Sequence, residues 1–250
     1  MPSGRSCRRR WLILFSSLLL VLGLLRSPAL AGPLRPEILH YRVSASLFRD
    51  AGRAVISLRQ VGPDLYEGEI RGETSGAVAL FSGGRRDSCR TTMELHQGKL
   101  RPRLYIEESW VGRKHRYKEY RFDYDRGRLE LWRREKGGAL VLAWQTDLAA
   151  PIYDPITAFY TFRSGGFGDL KDGEILTVAG IPYPQPETVT IQIGTQEKGA
   201  RQATVHIRQR VFDNAMGQVR VQFDEELIPL SAWTRVALFG TISGRLVDRY

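Results

Sequence analysis

Cysteine is nearly absent from this chain: two in 250 residues, Cys7 and Cys89. That excludes a disulfide scaffold, so stability has to come from burial. Histidine is as sparse. His40, His96, His115 and His206 stand far apart, with neither H-x-H nor H-E-x-x-H spacing, so neither a metal nor a cofactor is expected. The G-x-S-x-G elbow of serine hydrolases is missing, because in "GTISG" Ser243 stands in the wrong place. "GGFGDLKDG" is rich in glycine but lacks a Walker lysine and a third fingerprint glycine, and is expected to be a turn. Acids adjoin at Glu107 and Glu108 and at Asp224, Glu225 and Glu226. Neighbours along a strand face opposite sides, and acids in turns are solvated, so no catalytic pair is expected there. With no constellation left to carry a reaction, a non-enzymatic protein is expected.

A long hydrophobic run is missing as well. The longest, "WLILFSSLLLVLGLL" from Trp11 to Leu25, has 15 residues, short of the roughly 20 that span a bilayer. It follows Arg5, Arg8, Arg9 and Arg10 and precedes "ALA" at Ala29 to Ala31. Basic start, short apolar run and small residues together predict a signal peptide over residues 1–31, rather than an uncleaved anchor. Cys7 precedes the apolar run and cannot be a lipid-accepting cysteine, so an unlipidated periplasmic product is expected. The remaining 219 residues, 32–250, suffice for one β-rich domain with a sizeable core. The first segment holds five arginines and no acid, so its removal lowers the net charge from +10 to +5. That balance suits peripheral contact with an anionic membrane surface and is too weak to imply nucleic acid.

What the chain has in quantity is period-two alternation. "TVTIQIG" puts Val189, Ile191 and Ile193 on one face. "ATVHIRQRV" does so with Val205, Ile207 and Val211, "QVRVQF" with Val219, Val221 and Phe223, and "RYKEYRFDYD" with Tyr120, Phe122 and Tyr124. Such segments form half-buried antiparallel strands. Turn signals at "RDAGR", "VGPD", "HQGK", "YDRGR", "EKGG", "DNAMGQ" and "ISGR" imply about ten to twelve of them. Between Arg113 and Glu135 basic and aromatic residues interleave with five acids. A mixed-charge solvated hairpin is the expectation there, ahead of contact with anionic headgroups.

Two segments break the alternation. "TSGAVALFSG" suits a short helix capped by Thr74 or Ser75 and stopped by Gly83. In "YDPITAFYTFR" Asp154 is a good N-cap and Pro155 suits the first helical position. Ile156, Phe159 and Tyr160 fall on one face with Phe162 beside them. A helix of about two turns does not persist alone, so it has to pack on the sheet, as a solid plug or as a lid over a cavity.

Several of these segments resemble the family called domain of unknown function 3108, exported proteins of Gram-negative bacteria. They are "LHYRVSASLFRDAGRAVISL", "YDPITAFYTFR" and "VQFDEELIPLSAWTRVALFGTISGRL". Asp154, Pro155, Thr157, Ala158, Phe159, Tyr160 and Arg163 match that family's Asp-Pro-x-Ser/Thr-Ala segment, and Asp224 and Pro229 its closing hairpin. The resemblance implies a mainly β fold: a single curved antiparallel sheet, a half-barrel or partly closed barrel. One or two short helices would lie on its concave side, similar to the half-barrels of lipoprotein carriers such as LolA and LolB. It implies no catalytic residue.

Three roles fit. In the first, the concave face holds a lipid or acyl chain, with Ile156, Phe159, Tyr160, Phe162, Tyr120 and Phe122 lining the interior. In the second, the interior is filled and the protein is a structural or scaffolding component of the envelope. The third, an outer-membrane barrel, is disfavoured by Arg245, Asp248 and Arg249 in the last strand, since lipid-facing charge costs about 2–4 kcal/mol near mid-membrane.

Overall fold

The computed structural model describes residues 34–168, 170–181, 187–197, 199–207, 215–236 and 240–250. The expected signal peptide and Val211 lie outside the described residues. Eight strands come first: β1 (Glu37–Ala45), β2 (Phe48–Gly62), β3 (Leu65–Thr74), β4 (Arg86–His96), β5 (Lys99–Val111), β6 (Lys114–Asp123), β7 (Arg128–Arg134) and β8 (Leu140–Asp147). Helix α1 (Gly76–Ser82) lies in the β3–β4 connection, and α2 (Pro155–Arg163) follows β8. Six more strands close the chain: β9 (Ile175–Gly180), β10 (Glu187–Glu197), β11 (Ala200–Ile207), β12 (Ala215–Phe223), β13 (Pro229–Val236) and β14 (Gly240–Arg249).

All fourteen form one antiparallel sheet in the order β8-β7-β6-β5-β4-β3-β2-β1-β14-β13-β12-β11-β10-β9. Two meanders therefore meet at β1 and β14, in the middle of the sheet. There, Ile38 and Tyr250 exchange backbone hydrogen bonds of 3.0 Å. The sheet is not closed, and β8 and β9 are its edges. The chain passes from one edge to the other between Leu148 and Glu174, and α2 lies in that crossing. Tyr153 pairs in parallel with β9, accepting from the Ile181 amide and donating to the Ala179 carbonyl.

Among the described residues fourteen strands form where turn spacing suggests ten to twelve. "RDAGR" is no turn but part of β2, and "ISGR" belongs to β14. Gly52 serves close approach instead, since a Cβ there would collide with the Glu73 carbonyl of β3. The hairpins turn at Ser46–Leu47 and Gly112–Arg113, pairs with weaker signals. "HQGK" does turn as expected, with Gln97 and Gly98 both at positive φ (52° and 76°), matching the twist of the flanking strands.

Alternation sorts the side chains as the sequence predicts. Tyr120, Phe122, Leu129 and Leu131 are buried in one cluster with Leu58, Tyr66, Met93, Leu100 and Tyr105. Ile191, Ile193, Ala203 and Phe223 form a second with Leu176 and Val178. Helix α1 has Ser75 as N-cap and Gly83 as left-handed stop (φ 66°), but buries no residue. Of the two helices among the described residues, only α2 enters the core.

Candidate functional site

Helix α2 starts where expected, and Asp154 does more than cap it. Its Oδ1 accepts from the amides of Ile156 (2.9 Å) and Thr157 (3.0 Å). Its Oδ2 accepts from the hydroxyls of Thr91 on β4 (2.9 Å) and Thr157 (2.5 Å). All three residues are fully buried. Burial pushes the Asp154 carboxyl above the usual carboxylate range, against the pull of the Thr157, Thr91 and Ile156 donors. The cap therefore also fastens the helix to the sheet, across 63 residues of sequence.

At its other end Arg163 forms a two-pronged ion pair with Glu37 at the start of β1, the longer prong 3.2 Å. Its guanidinium also lies over the Phe159 and Tyr160 rings, at 5.3 and 5.6 Å. Between the two anchors the helix presses close to β3. A Cβ on Gly68 would stand 2.6 Å from Ile156 Cγ2 and 3.3 Å from Met93 Cε.

The six residues expected to line the interior are brought together. Ile156 (0% exposed), Tyr160 (1%), Tyr120 and Phe122 join the β2–β7 cluster, and Phe162 (4%) joins the β9–β12 cluster. Phe159 packs against both. The helix is thus a wedge between the two halves of the sheet. Three partners escaped sequence reasoning: Thr91, Glu37 and Gly68. Only Gly68 left a signal, as a glycine inside a strand pattern.

Two grooves of about 1340 and 530 Å³ are lined by none of these six. They share Glu69, Arg71, Arg90 and Tyr250, which face away from α2. On that outer face three arginines stand in register on adjacent strands: Arg245 opposite Arg42, and Arg42 opposite Arg53. None of the three forms an ion pair among the described residues. Farther along, Arg121 pairs with the buried Glu119 and lies over Trp132, while Trp132 donates to Glu130 (2.9 Å). This part of the mixed-charge hairpin pairs its charges internally, whereas Arg113, Lys114 and Arg116 at its turn have no ion-pair partner among the described residues.

Four of the five adjoining acids make side-chain contacts, Glu226 with Arg249 (3.4 Å) among them. Glu107 binds Lys118 (3.0 Å) and Glu108 binds His115 (3.1 Å). Asp224 Oδ1 accepts from the amides of Glu226 (3.0 Å) and Ile228 (2.8 Å), shaping the β12–β13 turn. Among the described residues, no group of three or more His, Cys, Asp or Glu is placed to hold a metal ion.

A family model described as "Protein of unknown function (DUF3108)" matches residues 40–198, from β1 into the end of β10. Among solved structures, the chain is similar to a crystal structure of a β-barrel-like protein of domain of unknown function DUF1849 from Brucella abortus. The identity is 10% and the TM-score 0.51, over 86% of this chain and 96% of that one, a likeness of fold alone. No curated protein matches the chain.

Proposed function

The chain belongs to the DUF3108 family of proteins of unknown function, and on that premise we propose that it is an exported, non-catalytic cell-envelope protein acting through its outer surface. One observation carries this reading: α2 fills the space between the two core clusters, with Ile156 and Tyr160 buried and Phe159 touching both sides. An interior spent on packing supplies rigidity, and the binding work then falls to the outer face. The buried Asp154 carboxylate that caps the helix is likewise committed to four donors, which supports a structural rather than an acid–base role for it.

A second reading rests on the seam. Beyond α2 itself, the crossing is held to the β9 edge by the Tyr153 bridge and to β1 by the Arg163–Glu37 pair. Release of these would let α2 act as a lid and expose an apolar concave face to a lipid or acyl chain.

Native mass spectrometry with lipid extraction, on protein purified from the periplasm, decides between them. The first reading expects no stoichiometric lipid, and expects Tyr160→Ala to cost about 3–5 kcal/mol as a core truncation. Copurified lipid that is lost in Tyr160→Ala, with stability unchanged, would establish the lid instead. Retention of the protein in the cytoplasmic fraction would overturn export.

A further inference from the structure

Helix α1 carries Leu80 and Phe81 at 83% and 81% exposure, and the β1–β2 turn carries Leu47 at 78%. Scattered exposed apolar residues need no explanation. These three, however, stand at one end of the sheet. Ser75, the cap of α1, donates its amide to the Ala51 carbonyl (2.9 Å) and its hydroxyl to the Asp50 carbonyl (3.2 Å), which fixes the helix beside the first residues of β2. At the other end of α1, the Gly112 amide of the β5–β6 turn donates to the Gly83 carbonyl (2.8 Å). Half-exposed Val111 adjoins there. The helix is thus clamped at both ends while its two largest side chains point into solvent.

The rim of this end is cationic. Arg49, Arg86, Arg113, Lys114 and Arg116 are exposed and have no ion-pair partner among the described residues; Arg85 is paired with Asp87 at 2.8 Å, and the exposed acids Asp50 and Glu73 stand among these cations without outnumbering them. The row Arg245–Arg42–Arg53 runs just beneath, because Arg53 lies opposite Glu73, the next-to-last residue of β3 before α1. Like charges placed directly opposite on neighbouring strands are destabilising, and an anion held among them removes that cost.

We propose that the α1 end of the sheet docks on an anionic lipid bilayer. Leu80, Phe81 and Leu47 enter the interface, and the arginine row and rim meet the headgroup phosphates. Apolar burial combined with basic attraction is what peripheral membrane binding requires. A second copy of the chain is the poorer occupant, since a two-fold contact would set the same cations face to face. The inference deepens the surface-acting reading but is tested apart from it, because lipid content of the interior and vesicle binding are separate measurements.

Cosedimentation of the protein as its host produces it, with vesicles of one part phosphatidylglycerol to three parts phosphatidylcholine and with phosphatidylcholine alone, tests it. All variants share the same N-terminal residues, so only differences count. Binding to the anionic vesicles should exceed binding to the neutral ones and fall with salt. Leu80→Ser with Phe81→Ser should weaken it roughly tenfold per side chain. Arg42→Gln, Arg53→Gln and Arg245→Gln together should weaken it about fivefold per charge removed. The Leu80/Phe81 variant should unfold at the wild-type temperature because those side chains are exposed, and the triple arginine variant at or above it because the repulsion along the row is gone. Equal binding to both vesicles, undiminished binding in the Leu80/Phe81 variant, or a dimer that this variant dissociates would each overturn the proposal.

Discussion

Asp154 gives the sharpest test of how α2 is held. Replacing it with Ala removes the acceptor for four donors at a site with no exposure. Two of the donors have alternatives: Thr91 also reaches the Leu104 carbonyl at 3.2 Å, and the Thr157 hydroxyl lies 3.4 Å from Thr91 Oγ1. The amides of Ile156 and Thr157 lose their bonds to Asp154 and, being buried, cannot turn to water. Each orphaned buried donor costs about 1–3 kcal/mol, whereas an exposed cap costs about 1 kcal/mol. Asp154→Ala should therefore lose about 3–5 kcal/mol, net of the relief from no longer burying a carboxylate. Asp154→Asn should stay within about 1 kcal/mol of wild type. Its amide oxygen accepts from the two backbone amides, and its amide nitrogen donates to the two threonine hydroxyls.

The pH dependence separates the two forms further. Burial raises the folded-state pKa of Asp154 above that of the unfolded chain. Its protonated form thus contributes stability that is full at acid pH and is lost as pH rises through the folded pKa. The Asn variant, a mimic of the protonated acid, should lack that decline. Urea unfolding followed by tryptophan fluorescence across the acid range measures both effects. A loss below about 1 kcal/mol in Asp154→Ala would mean that the amides find other partners, and the account of α2 as a sheet-anchored wedge would be wrong.

Two other outcomes follow from the same packing. Gly68→Ala should destabilise by about 1–3 kcal/mol, because the new methyl meets the branched Ile156 side chain rather than a mobile chain end; a variant as stable as wild type in the same urea assay would show that the helix can back away. Cys89 on β4 is half-buried against the first core cluster, and desolvation there pushes its thiol up to about 11. A thiol reagent at neutral pH should label it roughly a hundredfold more slowly than in the unfolded chain, and labelling of the native protein as fast as in urea would place it in an open path.

Much of the wedge was legible in advance because its signals are local. Asp154 and Pro155 start a helix by their own chemistry, Ile156, Phe159 and Tyr160 share a face by spacing, and Gly83 stops α1 by its φ. The strand faces were legible for the same reason, since alternation is a property of neighbours. The partners Thr91 and Glu37 were not, for they lie 63 and 126 residues from the groups they bind. Nor was α1's lack of burial, because a run of small and apolar residues resembles a core segment until the sheet passes it by.

By itself, then, the chain's pattern determined a mainly β protein with one core-seeking helix, because alternation and capping act over a few residues. Only the tertiary structure decided that the two meanders meet at β1 and β14, that α2 packs against two core clusters rather than one, and that three arginines from β14, β1 and β2 share one row. Those are matters of register between strands as much as two hundred residues apart, and no periodicity within a strand specifies which distant strand will lie beside it.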